Sequence, residues 1–178
     1  MLNRCKPDLI IDRLENLDQQ MLLDRGIEGV LLDLDNTLCA WGRRDVTDPR
    51  REWLARAKDN FKLCIVSNTF KGGKRLCAVG ADLGLATVAR WGLGRKPFGG
   101  GIKAALKITG TSPERTAIIG DQIFADILGG NSVGLLTVWI PPLNQREFIS
   151  TRCVRVAERV VLKRLGCEIP VCGEQSEE

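Results

Sequence analysis

A chain of 178 residues with 44% apolar content has the size of one domain and enough apolar surface to close one core. Its seven cysteines are an odd count with no Cys-x-x-Cys pair and no metal-finger spacing, which favours reduced thiols, most of them small core hydrophobes, over a disulfide framework. The absence of histidine excludes Ser-His-Asp hydrolysis, Cys-His catalysis and His-ligated zinc, and a net charge of +4 tilts the chain weakly toward anionic partners.

The opening "MLNRCKPDLIIDRL" is charged within six residues and never becomes an apolar core with a small-residue cleavage site, so it does not read as a secretory signal. "GVLLDLD", residues 29–35, is a strand by its continuous apolar run, and "TDPRREWLARAKDN" a helix with Thr47 or Asp48 as cap and Pro49 in its first turn. "KLCIVSN" is the second strand, "GGKRLCAVGADLG" a helix ending near Gly84, "LATVARW" a strand, and "GGIKAALKITG" a helix that Gly110 stops. "TAIIGD" and "LLTVWI" complete five strands, with "IFADILGGNSVG" as the helical crossover between them. This alternation predicts an α/β fold built on a parallel, doubly wound sheet, in one domain over residues 1–166 with a short tail over 167–178 that ends in the acidic "GEQSEE". The longest apolar run, "LLTVWIPPL", has nine residues and two prolines against the ~20 needed to span a bilayer. The expectation is a cytoplasmic protein whose membrane contact is at most peripheral, on the inner face.

Ligands of such sheets gather at the carboxyl ends of the strands. Asp33 and Asp35, two apart at the end of the first strand, address one point beyond the sheet. Ser67 and Asn68 end the second strand, Lys96 follows the third, Asp121 ends "TAIIGD", and Asp126 follows five residues later. Any one of these alone reads best as a cap at a strand-to-helix turn. Four segments sending polar residues to one edge outrun that explanation. Clustered carboxylates repel unless a divalent cation and a lysine offset them, and all-oxygen ligation suits Mg²⁺. A cation, a lysine and a hydroxyl around one carboxylate describe a site for a phosphoryl group attacked in line.

"DLDNTL" resembles the Asp-x-Asp-x-Thr signature of haloacid-dehalogenase (HAD) phosphatases, "IVSN" their second motif, Lys96 their third and "IGDQIFAD" their fourth, in family order. The resemblance implies a Rossmann-like core in which Asp33 is the nucleophile and Asp35 the general acid and base. It implies that Thr37 orients these groups, and that Ser67, Asn68 and Lys96 hold the phosphate. It further implies that Asp33, the main-chain carbonyl of Asp35, and Asp121 ligate Mg²⁺, with Asp126 in support. About 30 residues separate Asp35 from Ser67, and about 30 separate Ser67 from Lys96, which leaves no room for a cap domain.

The leader "KPDLII", "LLDRGIEGVLLDLDNTL", the tryptophan of "CAWG", "TSPERTAIIGDQIFADILGGN" and the tail "STRCVRVAERVVLKRLG" narrow the resemblance to capless phosphatidylglycerophosphate phosphatases. That implies a phosphate monoester on an anionic phospholipid headgroup as substrate, rather than nucleic acid. Ala125 stands where that group has Thr, which removes one hydroxyl beside Asp126. On the tail helix, Arg152, Arg155, Arg159 and Lys163 make a basic stripe beside an apolar one of Ile149, Cys153, Val156 and Val160. Such a pair of stripes either lies on anionic lipid or packs its apolar half on the sheet with the cations solvated. "CVRVAER" has the Cys-x5-Arg spacing of tyrosine phosphatases, but it lacks glycines to wrap a phosphate and its period is helical, so it reads as coincidence. Two other functions stay open, a phosphatase of soluble or polynucleotide monoesters and a non-catalytic phosphate-binding scaffold. No feature sets an oligomeric state.

Overall fold

The computed structural model describes residues 2–69, 73–90, 92–143 and 149–170. Among them, six strands form one parallel sheet: β1 (Leu9–Ile10), β2 (Gly29–Leu32), β3 (Lys62–Asn68), β4 (Ala86–Arg90), β5 (Thr116–Gly120) and β6 (Leu136–Trp139). Their order is β1-β6-β5-β2-β3-β4, the expected doubly wound sheet. All four residues of β2 are buried because β2 is central, hydrogen-bonded to β3 on one side and β5 on the other. The chain runs outward from β2 through β3 to β4, then returns to the other side, so the order reverses between β2 and β5. A reversal of this kind opens a crevice at the carboxyl ends of those two strands.

Period-two alternation divides the core between the two faces of the sheet. Val30, Leu32, Ile65 and Ile119 pack with Leu14, Leu22, Trp53, Leu54 and Leu76, whereas Leu31, Val66 and Ile118 pack with Ile102 and Ala105. The helices on these faces are α1 (Gln19–Asp24), α2 (Asp48–Asn60), α3 (Lys74–Leu83) and α4 (Gly100–Thr109), followed by α5 (Leu128–Val133) and α6 (Ile149–Arg164). The stretch between Asp35 and Ser67 is used by α2 and its entry loop, and that between Ser67 and Lys96 by α3 and β4. No inserted cap is evident among the described residues.

Sequence expectation and structure differ in four places. Five strands were predicted, and β1 is a sixth, too short to show a period. Asp8 anchors it by accepting from Thr137 N (2.8 Å) and Thr137 Oγ1 (2.9 Å) beside the β1–β6 pairing. Helix α1 was not predicted, and Asp18 caps it by accepting from Gln20 N. The crossover predicted as one helix opens with a π-helical turn, Ile123–Ile127, before α5.

The fourth difference concerns α6. The apolar stripe does not pack on the sheet: Val156 (62% exposed) and Val160 (44%) face outward, while Leu162 is buried with Cys5, Ile123, Ile127 and Trp139. Arg155 also leaves the basic stripe, pointing inward, whereas Arg159 and Lys163 stay exposed. The side chains of Ile149, Arg152 and Cys153 and the tail from residue 171 lie outside the described residues. Of the described cysteines, Cys5, Cys39 and Cys64 are buried, Cys77 is exposed and Cys167 is partly buried.

Candidate active site

Strand β2 ends at Leu32, but Asp33 N still donates to Ile119 O (2.9 Å), which keeps Asp33 at the sheet edge. The chain then turns sharply. Asn36 takes a left-handed φ of 60°, a conformation Asn tolerates, and its side-chain oxygen accepts from Trp41 N at 3.3 Å. The turn gives Asp33 and Asp35 different partners at the cleft they both line. Asp33 (7% exposed) points into the crevice, and Asp35 lies nearer solvent, accepting from Gly42 N and paired with Arg75.

The carboxyl end of β3 supplies two of the remaining parts. Ser67 is buried at the cleft wall. Asn68 grips the main chain of Lys96, accepting from its N (2.8 Å) and donating to its O (3.0 Å). This clamp sets the direction of the Lys96 side chain. Its Nζ donates to Asp33 Oδ1 (2.6 Å) and Val66 O (2.8 Å), and lies 2.6 Å from Asp126 Oδ1. After β5 come Asp121 and Asp126, both essentially inaccessible to solvent. Thr37 Oγ1 reaches Asp121 Oδ1 at a long 3.5 Å. Asp126 Oδ2 accepts from Gln122 N (3.1 Å), so residue 125 being Ala leaves this carboxylate anchored by main chain and lysine. Gly120 is the necessary neighbour: a Cβ there would lie 2.3 Å from Asp126 Cγ and Oδ2.

Every predicted site residue thus reaches this crevice or its wall. Asp33, Asp35, Ser67, Asn68, Lys96 and Asp126 line a cleft of about 100 Å³. Asp121 and Thr37 sit behind it. Sequence reasoning missed Gly120 and two arginines. Arg75 of α3 bonds Asp35 Oδ2 and the main-chain oxygen of Arg43, and Arg155 of α6 bonds Asp121. The short motifs carry no signal for either arginine.

Burial raises the Asp33 carboxyl to about 7, with Lys96 opposing the rise and Asp126 adding to it. Burial also holds Asp121 well above the usual carboxylate range, against the pull of Arg155. For Lys96, burial alone would lower the ammonium, but Asp126 and Asp33 reverse this and hold it above its ordinary value. Oxygens of Asp33, Asp121 and Asp126 lie within 4.8 Å of one another. Asp126 Oδ1 is buried, and its contact with the Lys96 ammonium 2.6 Å away is an ion pair. Three hard oxygen donors fit a small divalent cation.

The sequence pattern of the family described as mitochondrial PGP phosphatase matches residues 2–142. The chain is similar to the probable phosphatase YqeG of Bacillus subtilis, 31% identical over 160 residues that cover 89% of this chain and 90% of that one. It is also 31% identical to the chloroplastic and mitochondrial phosphatidylglycerophosphate phosphatase 1 of Arabidopsis thaliana, covering 89% of this chain but 47% of the plant protein, about half its length. Among solved structures, an uncharacterized protein from Listeria monocytogenes (TM-score 0.57, 19% identity, 69% of this chain and 85% of that one) has a similar fold. So does a putative HAD-like phosphatase from Mesorhizobium loti (TM-score 0.53, 15% identity, 88% and 91%). With a parallel sheet that carries no cap among the described residues and four motifs converging on its switch point, the chain belongs to the mitochondrial PGP phosphatase family of the HAD superfamily and is a phosphoric monoester hydrolase.

Proposed function

We propose that this phosphatase is Mg²⁺-dependent, works through an aspartyl phosphate on Asp33, and acts on phosphatidylglycerophosphate. The observation that carries the mechanism is Asp33 itself, a carboxylate at a phosphoryl-sized cleft with a buried ammonium 2.6 Å from one oxygen. Asp33 attacks phosphorus, forming an O–P bond as the bond to the ester oxygen breaks, and Asp35 gives its proton to the leaving alkoxide. Water then attacks the aspartyl phosphate while Asp35 takes the water's proton, releasing inorganic phosphate. Ser67 and Lys96 hold phosphoryl oxygens, and Asn68 keeps Lys96 in place. Asp33, Asp121, Asp126 and the main-chain carbonyl of Asp35 would hold Mg²⁺, which would supply positive charge for the phosphoryl oxygens. Gly120→Ala should displace Asp126 and lower phosphate release by up to about 10²-fold, because misplacement of about 1 Å is enough for that loss. A variant that folds and keeps the wild-type rate would show that Asp126 does not have to stay where it is.

The lipid substrate rests on what surrounds the cleft. The cleft has room for a phosphoryl group and does not enclose the rest of a substrate. Loops that follow parallel strands emerge at one edge of a sheet, and this edge displays the exposed Trp41, Arg43 and Arg44 after β2, then Phe98 (62% exposed) after β4. Exposed aromatics beside arginines suit the interface of an anionic membrane. No described helix is long and apolar enough to cross a membrane. The test compares Mg²⁺-dependent phosphate release from phosphatidylglycerophosphate in vesicles with release from free sugar phosphates and 3′-phosphate oligonucleotides. The lipid should be fastest, EDTA should abolish activity, and a faster soluble substrate would overturn the lipid reading. Arg44→Ser with Arg159→Ser should weaken vesicle activity by ~2 kcal/mol at most, roughly thirtyfold, and leave soluble turnover intact.

A further inference from the structure

Arg155 stands on α6, beyond the residues 2–142 that match the family pattern, yet it touches the centre of the site. Its Nη1 donates to the main-chain oxygen of Asp121 (2.6 Å), and its Nη2 pairs with Asp121 Oδ2. One planar guanidinium therefore holds the side chain and the main chain of the same residue, which removes the torsional freedom of that carboxylate. Trp139 Nε1 donates to the same main-chain oxygen (2.8 Å).

The arginine is itself held in place. Glu158, one turn further along α6, accepts from Arg155 Nη1 at 3.2 Å through Oε2, and from Phe124 N at 3.0 Å through Oε1. Phe124 belongs to the π-helical turn that carries Asp126. Arg155 and Glu158 thus link the segment of Asp126 to the carboxylate of Asp121. Docking of α6 does not need this pair, because Leu162 is already buried against Ile123, Ile127 and Trp139. A buried ion pair is a costly way to hold a helix when an apolar contact serves as well.

We propose that Arg155 is a positioning residue that fixes Asp121 for cation binding, so that docking of α6 completes the metal site. The proposal rests on the reading of Asp33, Asp121 and Asp126 as Mg²⁺ ligands. With Oδ2 engaged by Arg155, Oδ1, which Thr37 Oγ1 reaches at 3.5 Å, is the oxygen left to meet a cation, and the loss of the guanidinium would let the carboxylate rotate.

Calorimetric titration of MgCl₂ into the substrate-free protein tests this directly. Arg155→Ala should raise the Mg²⁺ dissociation constant about 10- to 100-fold, the usual cost of losing the group that orients a ligand. Arg155→Lys keeps the charge without the fork and should recover only part of that loss. Glu158→Gln preserves an acceptor for Phe124 N and all apolar contacts of α6, so it should fold as the wild type does while showing a rise at the lower end of that range. In turnover assays the Mg²⁺ concentration for half-maximal rate should rise while kcat at saturating Mg²⁺ stays near wild type. Unchanged Mg²⁺ affinity in both Arg155→Ala and Glu158→Gln would overturn the proposal. Tighter binding would do so too, because it would mean that the guanidinium repels the cation rather than preparing its ligand. A wild-type protein that binds no Mg²⁺ would instead overturn the metal reading on which the proposal stands.

Discussion

Asp33→Asn is expected to lower phosphate release by roughly 10³-fold or more, whatever the substrate, because an amide cannot attack phosphorus. The same substitution should stabilise the metal-free fold. Asp33 is raised to about 7, against an ordinary value near 4 in the unfolded chain. Between about pH 4 and 7 the unfolded state has lost this proton while the folded state keeps it, so stability falls as pH rises and the full penalty is present above about 7. An asparagine carries no such penalty. The melting temperature of the variant should therefore exceed that of the wild type at pH 8, with the gap closing toward pH 5. Near wild-type turnover in a folded Asp33→Asn protein would remove Asp33 from the chemistry.

Lys96→Met is the second large effect, expected in stability as well as rate. The ammonium is buried, paired with Asp33 and Asp126, and held above its ordinary value by both. Because its folded value is the higher one, its contribution is complete below about pH 10 and is lost only above that, so across pH 5–8 it acts as a constant. Methionine fills most of the volume but leaves two buried carboxylates without their cation, at a cost of about 3–5 kcal/mol at pH 8. That deficit should shrink at pH 5, where the raised Asp33 carboxyl takes up a proton, and saturating Mg²⁺ should recover part of it. Combined with Asp33→Asn, the loss should be smaller than the sum of the two single effects, since one partner of the broken pair is already neutral. Chemical denaturation at the two pH values reads this out, and a pH-independent loss of under about 1 kcal/mol would mean that the ammonium does not neutralise the cluster.

Much of this protein follows from its sequence. Each strand that carries a site residue is an apolar run ended by polar groups, as in "LLDLD", "CIVSN" and "IIGD". Parallel strands buried on both faces are continuous in this way, and their carboxyl ends are where ligands bind. The crossover helices between them have ordinary periods and stops, so five of the six strands, the sheet class and the residues of the crevice were legible before any coordinates. The tertiary structure decided the contacts whose partners lie far apart in the chain. Strand β1 has two residues and exists because β6 offers it an edge beside Asp8 and Thr137. Helix α6 has apolar residues on two faces, Val156 with Val160 and Leu162 with Leu165 just past its end, and helical spacing cannot rank them. The cluster of Ile123, Ile127 and Trp139 selects the second, and that choice turns Arg155 inward and leaves Arg159 in solvent. Gly120 needs the absence of a side chain only because Asp126 folds back over it. Arg75 and Arg155 belong to no short motif because their partners, 40 and 34 residues away, are brought to them by the sheet and the packing of helices on it.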